Sequence, residues 1–152
     1  MGRMILALCI CLLLFGCYST TGSSMRPMPS SPEDQYSLGM DYLRGRGLPQ
    51  SDRNAFVAFQ HAALQGHPEA EAQLGFMYAT GRGVKRNFHE SIRWYRYAAD
   101  HDLASAQYNL ALMYKNGIGT PKDPEHAWTL FQEASDHGFA PAGHALSEPD
   151  AA

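Results

Sequence analysis

The stretch AEAQLGFMYATGRGVKRNFHESIRWYRYAA, from Ala70 to Ala99, decides the fold. In its first half Ala70, Leu74, Met77 and Tyr78 fall at i, i+4, i+7 and i+8, the stripe of a half-buried helix. Gly81-Arg82-Gly83-Val84 ends that helix, because glycine enters the left-handed conformation at little steric cost. Asn87 is a good N-cap for a second helix. That helix carries Ser91, Trp94, Tyr95, Ala98 and Ala99, again at helical spacing, and its small residues let a neighbouring helix come close. The unit is a helix hairpin.

Working outward, the same features return every 36 residues. Leu38, Leu74 and Leu110 keep this step, as do Tyr42, Tyr78 and Tyr114. So do Gly45, Gly81 and Gly117, then Gly47, Gly83 and Gly119, and the aromatics Phe59, Tyr95 and Phe131. Ala62, Ala98 and Ala134 follow, with Ala70, Ala106 and Ala142. Ser51 and Asp123 stand where Asn87 stands, and Pro124 falls one residue inside the third copy, where proline is tolerated. The caps thus set the register independently of the apolar positions. A fixed period of this length marks a solenoid of stacked supersecondary units, for which three repeats are about the minimum. The reading is all-α: an α-solenoid of three hairpins over 34–69, 70–105 and 106–141. Ala140 to Leu146 begins a fourth first helix, read as a short cap on the third repeat. The repeat domain spans 33–146 and the polar tail 147–152.

The pattern Ala70, Leu74-Gly75, Tyr78, Gly81, Gly83-Val84, Asn87, Ser91, Trp94-Tyr95 and Ala98-Ala99 resembles the Sel1-like repeat, a relative of the tetratricopeptide repeat. Repeat 1 matches through Leu38-Gly39, Tyr42, Gly45, Gly47-Leu48, Ala55, Phe59, Ala62-Ala63 and Gly66. Repeat 3 matches through Ala106, Leu110, Tyr114, Gly117, Gly119, Asp123, Ala127, Phe131, Ala134 and Gly138. Three departures stand out: Ala58 and Leu130 at the position of Trp94, Ala111 at that of the first-helix glycine, and Asp102 at that of the closing glycine. The resemblance implies an adaptor or scaffold that binds proteins.

The N-terminus has a different character. After Met1-Gly2-Arg3, Met4 to Phe15 is nearly unbroken apolar sequence, too short for a membrane-spanning helix of about 20 residues but suited to a signal peptide. Leu14-Phe15-Gly16-Cys17 resembles the lipobox of bacterial lipoproteins, with 1–16 as signal peptide and Cys17 as the lipidation site; an ordinary signal peptide or an uncleaved anchor is the other reading. Cys9 and Cys11 would leave with the signal, so the mature chain would have Cys17 alone and no internal disulfide. By the same resemblance Tyr18, which is not Asp, implies sorting to the outer membrane, facing the periplasm. Residues 17–32, rich in Ser and Pro, read as a tether, and the stretch from Tyr18 to Ser31 could reach about 40 Å if extended.

No constellation for catalysis emerges. The seven His form no pair or cluster of zinc-ligand spacing. Gly81-Arg82-Gly83 follows a helix rather than a strand, and no Gly-Lys-Ser/Thr accompanies it, so phosphate-loop chemistry is not indicated. The expectation is no enzyme, no metal and no cofactor. The chain has 12 Lys+Arg against 15 Asp+Glu, and loss of Arg3 with the signal would deepen the negative balance, which disfavours nucleic acid.

Stacked helix pairs expose a concave surface lined mainly by their first helices. Beside the inward Leu and Tyr positions runs a stripe: Ser37, Met40 and Arg44; Gln73, Phe76 and Thr80; Asn109, Leu112 and Asn116. Its apolar centre and polar rim suit a protein groove, although Met40, Phe76 and Leu112 could equally pack between helices. A second candidate is basic: Arg82, Lys85, Arg86, Arg93 and Arg96, either a docking patch for an acidic partner or a solvated face. The function expected is a monomeric, membrane-anchored module that binds an envelope partner as adaptor or scaffold. Within that class, resemblance extends to immunity proteins that neutralise antibacterial effectors. A cell-wall enzyme and a structural envelope component without a specific ligand are the alternatives.

Overall fold

The computed structural model describes residues 29–147, so the signal segment, Cys17, most of the tether and the last five residues lie outside it. Among the described residues there are seven helices and no strand: α1 (Pro32–Arg44), α2 (Asp52–Ala63), α3 (Pro68–Thr80), α4 (Phe88–Asp100), α5 (Ala104–Asn116), α6 (Pro124–Asp136) and α7 (Ala140–Ser147). The all-α solenoid read from the period is the fold observed. Helices α1 and α2, α3 and α4, and α5 and α6 pair as hairpins, and each second helix also packs on the next first helix.

Side chains at the caps explain where the helices begin. Ser51, Asn87 and Asp123 each accept a backbone N–H from the first turn of α2, α4 and α6. Ser31 does the same for α1 and the imidazole of His67 for α3, whereas α5 begins after Leu103 without a side-chain cap. The first helices end alike. Gly45, Gly81 and Gly117 take left-handed conformations, and the N–H groups of Arg46, Arg82 and Ile118 reach back to the carbonyls of Asp41, Met77 and Met113. One more bond recurs in every hairpin. The N-cap residues Ser51, Asn87 and Asp123 donate their N–H to the carbonyls of Tyr42, Tyr78 and Tyr114 at 3.0, 2.9 and 3.0 Å. The turn is thereby tied to the helix it leaves.

The recurrent apolar residues form the core. Leu38, Leu74 and Leu110 are buried, as are Phe59, Tyr95 and Phe131 and the alanines at 62, 98 and 134. Close approach within the first two hairpins requires glycine. A Cβ at Gly39 would lie 2.5 Å from the Phe59 ring, and one at Gly75 would lie 2.7 Å from the Tyr95 ring. Ala111, at the same repeat position, is fully buried, so the third hairpin accommodates the extra methyl. The other departure, Asp102, is the one described non-glycine residue with positive φ, 58°, matching Gly66 and Gly138 in the closing turns of repeats 1 and 3.

Successive hairpins interlock at their turns. A Cβ at Gly83 would sit 2.3 Å from the backbone oxygen of Asp52, at the start of the previous repeat's second helix. Arg82, next to it, grips the Asp52 carboxylate with two bonds of 2.7 and 3.2 Å. Gly119 meets Phe88 in the same way, with a Cβ–Cβ separation of 2.5 Å.

Candidate functional site

The first helices carry the candidate stripe, and its members differ in how far they are committed to packing. Met40 is half-buried against the core shared by repeats 1 and 2, and Leu112 against the core of repeats 2 and 3. Phe76, between them in sequence, is 42% exposed. Ser37, Arg44, Thr80 and Asn116 are exposed, while Gln73 and Asn109 are half-buried. Two of the polar ends already serve their own helices. Thr80 donates its hydroxyl to the Phe76 carbonyl at 2.8 Å, and Asn116 donates its amide to the Leu112 carbonyl at 2.8 Å. They close the C-terminal turns of α3 and α5, so less of the rim is open to a ligand than the residue types suggest.

At one end the stripe opens into a groove of about 400 Å³, lined by Tyr108, Leu112, Lys115, Phe131, Pro141, His144 and Ala145. Its walls come from α5, α6 and α7. Tyr108 is fixed in it by ring contacts at 5.5 Å to Phe131 and 5.2 Å to Phe139. Leu112 was reached from the sequence; the other lining residues were not. Tyr108 does repeat Tyr36 two periods earlier, and that was the available signal. The residues from α7 had none, because an incomplete repeat does not show which of its faces is left uncovered.

The basic residues are engaged one by one. Arg82 pairs with Asp52. Arg93 pairs with Glu90 at 3.2 Å and lies 5.7 Å over the Trp94 ring. Arg86 lies 5.5 Å over Phe88, and Arg96 donates to the Tyr114 hydroxyl at 2.9 Å. Lys85 is exposed. Four of the five guanidinium and ammonium groups therefore have a partner within the fold, which weakens the field they can offer an acidic ligand.

The histidines are less detached than loop positions suggest. His67 stacks on Tyr36 at 4.7 Å and lies between Glu33 and Glu69, at 3.1 and 3.2 Å. His137 reaches Gln107 at 3.0 Å and His101 approaches Glu71 at 3.9 Å. Among the described residues no three His, Cys, Asp or Glu gather as a metal site. Burial raises the phenol pKa of Tyr36, Tyr78 and Tyr95, and raises that of the Glu71 carboxyl. Tyr95 is held between helices beside Gly75, where its ring has a structural role. Taken together, the first-helix face offers shape, an exposed ring and a groove of mixed apolar and polar lining.

Stacked helix hairpins joined by left-handed glycine turns define an α-solenoid. The Sel1 repeat family model matches residues 32–67, 68–103 and 104–139, one hairpin each. The chain belongs to the Sel1 repeat family, whose members commonly act in protein–protein interaction. Among solved structures it is similar to a Sel1 repeat protein from Oxalobacter formigenes, with 31% identity and a TM-score of 0.73 over 76% of this chain and 47% of that one. It is also similar to c5321, a protective antigen of uropathogenic Escherichia coli, with 34% identity and a TM-score of 0.74 over 76% of this chain and 25% of that one. The chain thus spans about half the length of the first and a quarter of the second. Cysteine-rich protein B of Helicobacter pylori shares the fold at 18% identity, with a TM-score of 0.63 over 77% of this chain and 98% of that one. A search of curated proteins finds no match.

Proposed function

We propose that this protein is a membrane-tethered adaptor that holds a protein partner in the bacterial envelope against its first-helix face. The observation that carries the reading is Phe76, an aromatic ring 42% exposed in the middle of the stripe, with half-buried Met40 and Leu112 at the same position of the flanking repeats. An exposed ring amid apolar neighbours is the kind of anchor that dominates binding energy at protein interfaces. The groove between α5 and α7 supplies a second, concave contact on the same helices. Attachment through acylated Cys17 rests on the Leu14-Phe15-Gly16-Cys17 motif, and outer-membrane placement on Tyr18.

Affinity capture from envelope membranes tests the adaptor role. Wild type retains a defined partner, and Phe76→Arg, which places a charge in the apolar centre, loses at least about 2 kcal/mol of binding, a factor of roughly 30. Equal retrieval by the two proteins rules out this surface. Metabolic labelling with a fatty acid tests the anchor separately: label is expected on wild type and absent from Cys17→Ser.

A further inference from the structure

Helices α1, α3 and α5 each bury one polar side chain at the same repeat position. These are Gln35, Glu71 and Gln107, which are 5, 4 and 2% exposed. Opposite them, in the closing turns, stand Gln65, His101 and His137, again one repeat apart. In repeat 1 the Gln65 amide donates to Gln35 Oε1 at 2.8 Å, and Gln35 donates its own amide to the Pro29 carbonyl at 2.6 Å. In repeat 3 Gln107 Oε1 lies 3.0 Å from His137 Nδ1. The middle repeat keeps the layout and changes the chemistry. A carboxyl replaces the amide, its Oε1 stands 3.9 Å from His101 Nε2, and its Oε2 is buried without any hydrogen-bond partner.

A carboxylate has no N–H to donate, and a buried oxygen with no donor facing it is costly. A single proton on either partner reduces this cost, by neutralising the buried carboxylate or by giving it an opposite charge. On Glu71 it restores a donor of the kind Gln35 has. On His101 it converts the 3.9 Å approach into an attraction between opposite charges. We propose that Glu71 and His101 form an acid-responsive joint in the middle hairpin, slack when the pair holds no added proton and tightened when it takes one up. The proposal does not depend on the adaptor reading.

The net effect of the surroundings is in the same direction. Burial is the main influence on Glu71 and raises its pKa; Asp100 adds to this, while His101 and His67 lower it. These three neighbours come from the end of α4 and the start of α3, and α2, packed on the other side, contributes none of them. A carboxyl whose pKa is raised in the folded state holds more proton there than in the unfolded chain. Stability from this site is therefore complete below the ordinary glutamate range and is lost as pH rises through the folded value.

Thermal unfolding of the full chain and of Glu71→Gln, followed from about pH 8 to about pH 4, just below the ordinary glutamate range, is the test. The variant installs the amide found in repeats 1 and 3. Its Tm is expected to exceed wild type by about 3 °C or more at the alkaline end, with the gap closing at the acid end. Parallel curves, a wild type that is the more stable at pH 8, or a variant that does not unfold cooperatively would each overturn the proposal. Carbon-13 NMR of the glutamate carboxyls gives a second readout. Glu71 should titrate above the ordinary glutamate value, and His101→Gln should move its midpoint further up by removing a neighbour that lowers it. An unmoved midpoint in that variant shows that the two groups do not form a joint.

Discussion

Gly47, Gly83 and Gly119 share one repeat position and nearly one conformation, with φ of 67, 68 and 72°, yet their surroundings differ. A Cβ on Gly47 would meet nothing within 4 Å. On Gly83 it would run into the Asp52 backbone, and on Gly119 into Phe88. Gly47 turns a chain that no earlier described hairpin touches, whereas the other two turn where one hairpin rests on the previous one. The same residue type thus answers two demands. Positive φ is required by the turn inside each hairpin, and the missing side chain is required by stacking between hairpins. The closing turns make the complementary point: Gly66 and Gly138 have open space around them, and there repeat 2 manages with Asp102.

Gly83→Ala should break this contrast most severely. The substitution adds the left-handed penalty to a collision with main chain, which no rotamer change relieves. Denaturant unfolding should show a loss of about 3 kcal/mol. Gly47→Ala in the same assay should lose only about 1 kcal/mol, the conformational term alone. The smallest expected effect has the opposite sign. Asp102→Gly should raise stability by about 0.5 kcal/mol, because the left-handed region is open to glycine and only tolerated by aspartate.

The sequence made the hairpins legible because each signal was written three times. Caps at Ser51, Asn87 and Asp123, glycines after the first helices and the buried Leu and aromatic positions all agreed in phase, and the helices follow them. The distinction between Gly47 and Gly83 was not legible, since it lies in what the neighbouring repeat presents. The row of Gln35, Glu71 and Gln107 was missed for a related reason. Glutamine and glutamate read as surface residues, and only the packing shows that they point inward. The candidate site was legible in part. Phe76 stands exposed on the expected helix face, but the groove beside Leu112 depends on how α7 lies across α5, a tertiary fact that a truncated repeat does not encode.

The central claim is that the hairpins are mechanically coupled through their turns, and native-state amide hydrogen exchange reads this most directly. In Gly83→Ala, faster exchange should appear on both sides of the joint, in α2 as well as α3 and α4, while in Gly47→Ala it should stay within α1 and α2. Equal and uniform acceleration across all helices in both variants would contradict the account.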